Sequence, residues 1–227
     1  MYLVIFDCDG TLIDSQNTIV SGMDVAFRSQ GLTPPDRARC LSIVGLSLEV
    51  AIRTLCTPED AHLAGVMADA YRDAKVAERE AGGAFDPLYP GAKEAVDLLH
   101  ARDDVLLGVA TGKAYRGVVH MVEMHGLHDR FVTIQTADRA PSKPHPGMIL
   151  QALEETGAEA ARTVMIGDTS YDMEMARSAG VSALGVSWGY HARPLLEGAG
   201  AHAIIDNFSE LAPELTRRFG WIQDVRA

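Results

Sequence analysis

The chain has 227 residues, of which 47% are hydrophobic and 22% are charged, which is sufficient for one globular domain carrying a smaller insertion. Its formal net charge of −11 argues against a nucleic acid or an anionic membrane as a partner, because both would repel it. Three cysteines without close spacing, and the lack of a signal peptide or membrane-spanning pattern, predict a reduced cytoplasmic protein.

Strand and helix patterns alternate along most of the chain. Short apolar runs predict strands at residues 2–6, 105–110, 131–134, 163–166, 183–186 and 202–205. Helical periodicity predicts helices at residues 91–101, 115–125, 146–156, 170–179 and 208–218. This alternation is typical of an α/β fold, so we expect a doubly wound, Rossmann-like parallel sheet.

One long stretch interrupts this alternation. Between about residues 15 and 84 only helices are predicted, at 17–30, 47–55 and 58–80. Because this block follows the first strand directly, we interpret residues 15–87 as an inserted, all-helical cap domain. Residues 1–14 and 88–227 would then form the catalytic core, with hinges near residues 14–16 and 84–90.

The first predicted strand ends at two carboxylates. Asp7 and Asp9 are separated by Cys8 and followed by Gly10. Since open α/β sheets bind ligands at the carboxyl ends of their strands, Asp7 can attack phosphorus as a nucleophile. Asp9 can protonate the leaving oxygen and later take a proton from water. Gly10 would let the backbone approach a phosphate closely, and Cys8 is expected to be a buried spacer.

Two further segments supply phosphate-binding groups. Thr111 and Gly112 follow the next core strand, and they offer a hydroxyl and an unobstructed backbone amide. Lys143 lies between Pro141 and Pro144, which restrict the loop and allow its ammonium to point at phosphate oxygens. We therefore expect these three residues to bind the phosphate.

A second pair of carboxylates follows the strand predicted at residues 163–166. Asp168 and Asp172 are four residues apart, about one helical turn, so both can face the same point. With Asp7, Asp9 and Lys143, they would leave a net excess of three negative charges that repels a phosphate dianion. A divalent cation relieves that excess, and hard carboxylate oxygens favour Mg²⁺.

Taken in order, these segments resemble the motifs of the haloacid dehalogenase superfamily, and the helical cap resembles the subgroup that includes the phosphoglycolate phosphatases. The matching motifs are residues 7–12, 110–113, 142–146 and 167–172, with further similarity at residues 89–91, 179–180 and 186–190. The resemblance implies a Mg²⁺-dependent phosphatase that acts through a phosphorylated aspartate. Gly112 departs from the pattern, because many relatives carry Asn there.

The resemblance also implies roles for individual residues. Those implied at the metal are Asp7, Asp168, Asp172 and, through its backbone carbonyl, Asp9. Those implied in catalysis are Asp7, Asp9, Thr111 and Lys143. Those implied in binding phosphate or substrate are Gly10, Thr111, Gly112, Lys143 and, in a cap loop that helps to select substrates, Gly45.

Several alternatives remain open from the sequence. The leading substrate by resemblance is phosphoglycolate, and a phosphomutase or a pyrophosphatase could use the same site. A dehalogenase would need neither the metal nor Asp9, and a regulator would bind a phosphorylated ligand without turnover. A small phosphorylated metabolite is the expected partner, and the chain could be a monomer or a homodimer.

Overall fold

A computed structural model of the chain describes residues 1–82 and 86–220. Its parallel sheet has six strands in the order β3-β2-β1-β4-β5-β6. The strands are β1 (Tyr2–Phe6), β2 (Val105–Thr111), β3 (Thr133–Thr136), β4 (Thr163–Gly167), β5 (Ser182–Val186) and β6 (Ala203–Ile205). The core helices are α5 (Ala92–His100), α6 (Tyr115–Met124), α7 (Gly147–Thr156), α8 (Ser170–Ser178), α9 (Arg193–Gly198) and α10 (Leu211–Phe219).

The central strand shows why the sheet is covered on both faces. Alternate side chains of a strand point to opposite faces of its sheet. In β1, Val4 and Phe6 pack into one apolar layer, and Leu3 and Ile5 pack into the other; all four are fully buried. A strand that is apolar on both faces needs helices above and below it, so the predicted doubly wound α/β fold is confirmed.

The inserted segment folds as a helical unit with its own apolar core. It contains α1 (Gln16–Arg28), α2 (Arg37–Leu41), α3 (Leu48–Leu55) and α4 (Ala64–Glu80). Buried residues of this unit, such as Met23, Phe27 and Ile52, pack together and apart from the two layers of the sheet. The domain boundaries that we assigned stay a prediction.

The two connections between this helical unit, hereafter the cap, and the core lie side by side. The Asp14 amide donates to the Pro87 carbonyl at 2.8 Å, and the Tyr89 amide donates to the Leu12 carbonyl at 2.9 Å. Part of the second predicted hinge, residues 83–85, lies outside the described residues. The described parts of the two connections therefore form a paired entry and exit.

Some predicted boundaries were wrong. The third strand runs from Thr133 to Thr136 instead of 131–134, because its pairing with β2 begins at Gly108 opposite Thr133 and ends at Thr111 opposite Thr136. The predicted helix 58–80 begins at Ala64 after a short 3-10 turn, and the predicted helix 208–218 likewise begins at Leu211. The helices α2 and α9 were missed because five or six residues carry little periodicity.

Within the described residues, no helix is both long enough and apolar enough to cross a membrane.

Candidate active site at the carboxyl edge of the sheet

The sheet order brings distant segments of the sequence together. Strand β1 lies between β2 and β4, and all three run parallel, so their carboxyl ends share one edge. Asp7 directly follows β1, Thr111 is the last residue of β2, and Asp168 directly follows β4. The predicted convergence of these side chains at one edge is therefore observed.

Three carboxylates form a compact buried cluster at this edge. Asp7, Asp168 and Asp172 each offer an oxygen that lies within 4.8 Å of the other two. Burial is the main cause that raises the pKa of Asp7 to about 7, with Asp172 and Asp9 adding to the increase and Lys143 opposing it. Burial and the neighbouring Asp172 and Asp7 likewise raise the pKa of Asp168. Burial and mutual repulsion therefore disfavour the simultaneous ionisation of Asp7 and Asp168.

Lys143 lies between two of these carboxylates. Its Nζ atom is 2.6 Å from Asp172 Oδ1 and 3.0 Å from Asp7 Oδ1, and all three side chains are fully buried. Burial acts to lower the pKa of Lys143, but Asp172 and Asp7 outweigh it and raise the pKa. Lys143 therefore stays charged and holds Asp7 and Asp172 in place. Its predicted contact with phosphate stays a prediction.

Asp172 has two structural roles at the start of α8. Its Oδ2 atom accepts hydrogen bonds from the Thr169 amide at 3.0 Å and from the Thr169 hydroxyl at 2.7 Å, as part of a capping box. Its Oδ1 atom faces Lys143. The capping role and the predicted site role thus use different oxygens of one carboxylate.

Asp168 is held by two neighbours, Thr11 and Tyr190, for which the sequence predicted no individual role. Its carboxylate accepts hydrogen bonds from the Thr11 hydroxyl at 3.0 Å and from the Tyr190 amide at 2.8 Å. A Cβ atom added to Gly10 or Gly189 would lie within 2.2 Å of this side chain. Gly10 also has a φ of +84°, so packing and backbone conformation together require glycine there. Its predicted contact with phosphate stays a prediction.

Asp9 does not join the cluster of carboxylates, because it pairs with a lysine that we did not predict. Lys113 Nζ lies 2.7 Å from Asp9 Oδ1. Burial acts to lower the pKa of Lys113, but its interaction with Asp9 outweighs this and raises the pKa. Its position in the sequence could have indicated a role at the site, since Lys113 directly follows Thr111 and Gly112, the predicted phosphate-binding pair at the end of β2. Lys113 brings a second positive charge to the site.

The two carboxylate oxygens of Asp7 have different surroundings. Oδ1 accepts a hydrogen bond from the Cys8 amide at 2.7 Å and pairs with Lys143. Oδ2 is buried and has no hydrogen-bond donor within residues 1–82 and 86–220. A buried acceptor without a partner is costly. Together with the neighbouring Asp168 and Asp172, it provides the hard oxygen ligands that suit Mg²⁺, so the described residues fit this ion.

The remaining predicted site residues line the cavity between cap and core. Thr111, Gly112 and Gly45 all border this cavity, as do Asp7 and Asp9. A Cβ atom added to Gly112 would lie 2.4 Å from the Leu46 carbonyl oxygen, so the cap loop rests directly on this glycine. This contact gives a physical reason for glycine where many relatives carry asparagine.

Cys8 is fully buried, as predicted. Burial raises the pKa of its thiol, and Asp7 and Asp9 raise it further. Because the thiolate is the reactive form of cysteine, this side chain is a poor nucleophile and serves as packing between the two carboxylates.

The fold and the site together define a class. A doubly wound sheet carries clustered carboxylates and a buried lysine at its carboxyl edge, under a helical cap. Over residues 4–186 the chain matches the family described as haloacid dehalogenase-like hydrolase, and it belongs to that family. The predicted family is confirmed.

Individual relatives match over nearly the full chain. The chain is 37% identical to the probable phosphatase IndB of Dickeya dadantii, in an alignment that covers 92% of this chain and 91% of that protein. It is 32% identical to a phosphoglycolate phosphatase of Agrobacterium fabrum, covering 94% and 91%. A solved structure of a predicted phosphatase from Clostridium acetobutylicum superposes with a TM-score of 0.83 at 26% identity, covering 96% and 99%. The predicted class of enzyme, a phosphatase, agrees with these findings.

Proposed function

We propose that this protein is a Mg²⁺-dependent phosphatase that hydrolyses a small phosphomonoester through a phosphorylated Asp7. The observation that carries the proposal is the buried Asp7 carboxylate, one oxygen of which has no donor in the described part of the chain. Asp7 therefore has an oxygen available for a metal or a phosphoryl group at the point where β1, β2 and β4 end.

The groups proposed to hold the phosphate border the same cavity as Asp7 or pair with its carboxylate. The Thr111 hydroxyl, the Gly112 amide and the Lys143 ammonium are the donors that we assign to the phosphate oxygens. Asp7, Asp168 and the Asp9 carbonyl would hold the metal, supported by Asp172. When bound, Mg²⁺ would offset the negative charge of the cluster and of the phosphate, which permits the approach of one anion to another.

The reaction then has two steps. In the first, an Asp7 oxygen attacks phosphorus, the bond from phosphorus to the alcohol oxygen breaks, and Asp9 gives its proton to that oxygen. In the second, water attacks the phosphorus of the acyl phosphate and loses a proton to Asp9. The bond from Asp7 to phosphorus breaks, which releases inorganic phosphate and regenerates the Asp7 carboxylate and the protonated Asp9.

The pair formed by Lys113 and Asp9 places a condition on this reaction. Lys113 Nζ lies 2.7 Å from Asp9 Oδ1, so it occupies an oxygen that the proposed first step uses for proton transfer. We infer that the pair separates when substrate binds, with Lys113 moving toward the added negative charge. Lys113 would thus free the Asp9 oxygen for the reaction by leaving it.

The substrate is open within the class of phosphomonoesters. Relatives named phosphoglycolate phosphatase make phosphoglycolate the first compound to test. Phosphate release and chelator sensitivity separate the proposal from its alternatives. A phosphomutase would return a rearranged phosphoester, a dehalogenase would tolerate EDTA, and a binding protein would release no phosphate.

The decisive experiment replaces the proposed nucleophile. Asp7→Asn should lower kcat for a chromogenic aryl phosphate by at least about 1000-fold, because an amide cannot form the acyl phosphate. The matched control is Asp69→Asn, an exposed cap residue, which should keep wild-type activity. Circular dichroism should show that both variants are folded. If Asp7→Asn protein purified away from contaminating phosphatases keeps more than about a tenth of the activity, the proposal is wrong.

A further inference from the structure

The cavity between cap and core is large for a two-carbon substrate. Its volume is about 770 Å³, and it extends from Asp7 and Thr111 beneath the cap helices α1, α3 and α4. Pockets of roughly 300–1,000 Å³ hold ligands of many atoms, including ring systems. A two-carbon phospho-acid would fill the phosphate end and leave most of this space to water.

The size of the cavity does not come from a detached cap. The Ser47 amide of the cap donates to the Ser142 hydroxyl of the core at 2.9 Å. The Ser42 carbonyl accepts hydrogen bonds from the Tyr171 hydroxyl at 3.3 Å and from His191 Nε2 at 3.1 Å. Because His191 Nδ1 accepts from the Ser170 amide, its proton resides on Nε2. The cap loop is thus seated on the core while the cavity remains.

The walls beyond the phosphate end are mainly apolar. Ile19 and Met23 of α1, together with Leu48 of α3, border the cavity on the cap side. Met121 and Met124 of α6 border it on the core side. Methionine side chains adapt to ligands of different shape, and apolar walls favour the burial of an uncharged group.

The half-buried lysines and the half-buried arginine along the cavity already have partners within the protein. Lys75 Nζ lies 2.7 Å from Glu78, and Lys113 Nζ lies 2.7 Å from Asp9. Arg79 Nε donates to the Lys75 carbonyl at 3.1 Å. The other basic side chains bordering the cavity are exposed (Arg72, Arg116 and Arg139) or are histidines (His120 and His125). Within the part of the chain that the structure describes, each half-buried lysine or arginine of the cavity therefore has a partner.

We propose that this cavity accommodates an uncharged, ring-bearing alcohol, so that the preferred substrate is a phosphomonoester of such an alcohol rather than a two-carbon phospho-acid. The inference rests on the proposed phosphatase function and specifies its substrate class. A second carboxylate on the substrate would meet half-buried lysines whose charges are already paired with Glu78 and Asp9, whereas a neutral ring would only displace water from apolar walls.

The test uses three alkyl phosphates whose leaving alcohols are similarly basic. The alcohol part of ethyl phosphate is small and uncharged, and that of phosphoglycolate is small and carries a carboxylate. The alcohol part of benzyl phosphate is uncharged and bears a ring. With Mg²⁺ present, kcat/KM for benzyl phosphate should exceed that for each of the other two by at least about tenfold, the value expected for burying a ring. Phosphoglycolate turned over as well as benzyl phosphate, or better, would overturn the inference while supporting the phosphatase function. Release of phosphate from none of the three would overturn both.

A pair of variants locates the preference in the cavity. Met124 is 42% exposed and borders the cavity on α6, whereas Leu150 is 48% exposed on α7 and does not border it. Met124→Glu should lower the ratio of kcat/KM for benzyl phosphate to that for ethyl phosphate at least about threefold, and Leu150→Glu should leave this ratio unchanged. An unchanged ratio in folded Met124→Glu protein would contradict binding of the ring at this wall.

Discussion

The phosphate end of the cavity and its cap end are lined by different types of residue. At the phosphate end, Asp7, Asp172 and Lys143 are fully buried and are fixed by several partners each. At the cap end, apolar side chains and mutually paired charges border an open volume. In the proposed function, the core would fix the groups that act on phosphorus, while the cap would leave room for an alcohol of variable shape.

The sharpest test of this difference makes the same substitution, lysine to methionine, separately at each of two lysines. Lys143→Met removes the cation between two fully buried carboxylates and should destabilise the metal-free protein by about 3–5 kcal/mol. Lys113→Met affects Asp9, whose side chain is 13% exposed to the cavity, and should cost about 1 kcal/mol. Denaturation in the presence of a chelator would measure both changes. Equal losses of stability would show that the two ends do not differ as described.

The second prediction concerns pH and metal at the phosphate end. The pKa of Asp7 is raised from 3.8 to about 7, so the folded protein holds a proton there that the unfolded chain releases between these pH values. Stability of the metal-free protein is therefore lost as pH rises from about 4 to about 7. Since Mg²⁺ binds the ionised carboxylates, it should raise the melting temperature more at pH 8 than at pH 5.

Thermal denaturation with Mg²⁺ and with EDTA at the two pH values provides the measurement. Asp7→Asn is the control, because it lacks the titrating group and should show a smaller change of the Mg²⁺ effect with pH. An increase in melting temperature that is equal at both pH values in the unmodified protein would contradict the prediction.

The smallest expected effect lies at the boundary between the two ends. In Gly112→Ala, the new methyl group would lie 2.4 Å from the Leu46 carbonyl oxygen and 2.7 Å from that of Gly45, so the cap loop must move. We expect KM to rise about three- to tenfold, with a smaller change in stability. Gly65→Ala, where the added Cβ has no neighbour within 4 Å, should leave KM unchanged. Steady-state kinetics would measure KM for both variants, and equal KM values would contradict the prediction.

The sequence predicted the fold and the position of the site wherever an apolar strand is followed directly by carboxylates. An apolar strand followed by Asp7 and Asp9, and a second strand followed by Asp168, predicted both the sheet and the edge at which these side chains meet. Strand direction alone carries this information, because parallel strands present their carboxyl ends together. The family resemblance then indicated roles for the individual residues.

Pairing between side chains was harder to predict. Lys113 was recognised only as part of a segment, since its contact with Asp9 depends on the orientation of two loops that are 104 residues apart. Thr11 and Tyr190 support Asp168 through one hydroxyl and one backbone amide, and many residue types can supply an amide. The end of β3 was missed because Gln135 and Thr136, which are polar, are nevertheless buried in the sheet.

The few polar contacts between cap and core have a consequence for the rate of exchange. Three hydrogen bonds hold the cap loop to Ser142, Tyr171 and His191, and each has a net worth of about 1 kcal/mol. Breaking these three bonds would contribute on the order of a few kcal/mol to the cost of opening, and a state that lies a few kcal/mol above another stays populated at about 0.1–10%. Ligands could then enter and leave on the microsecond to millisecond timescale without any input of chemical energy.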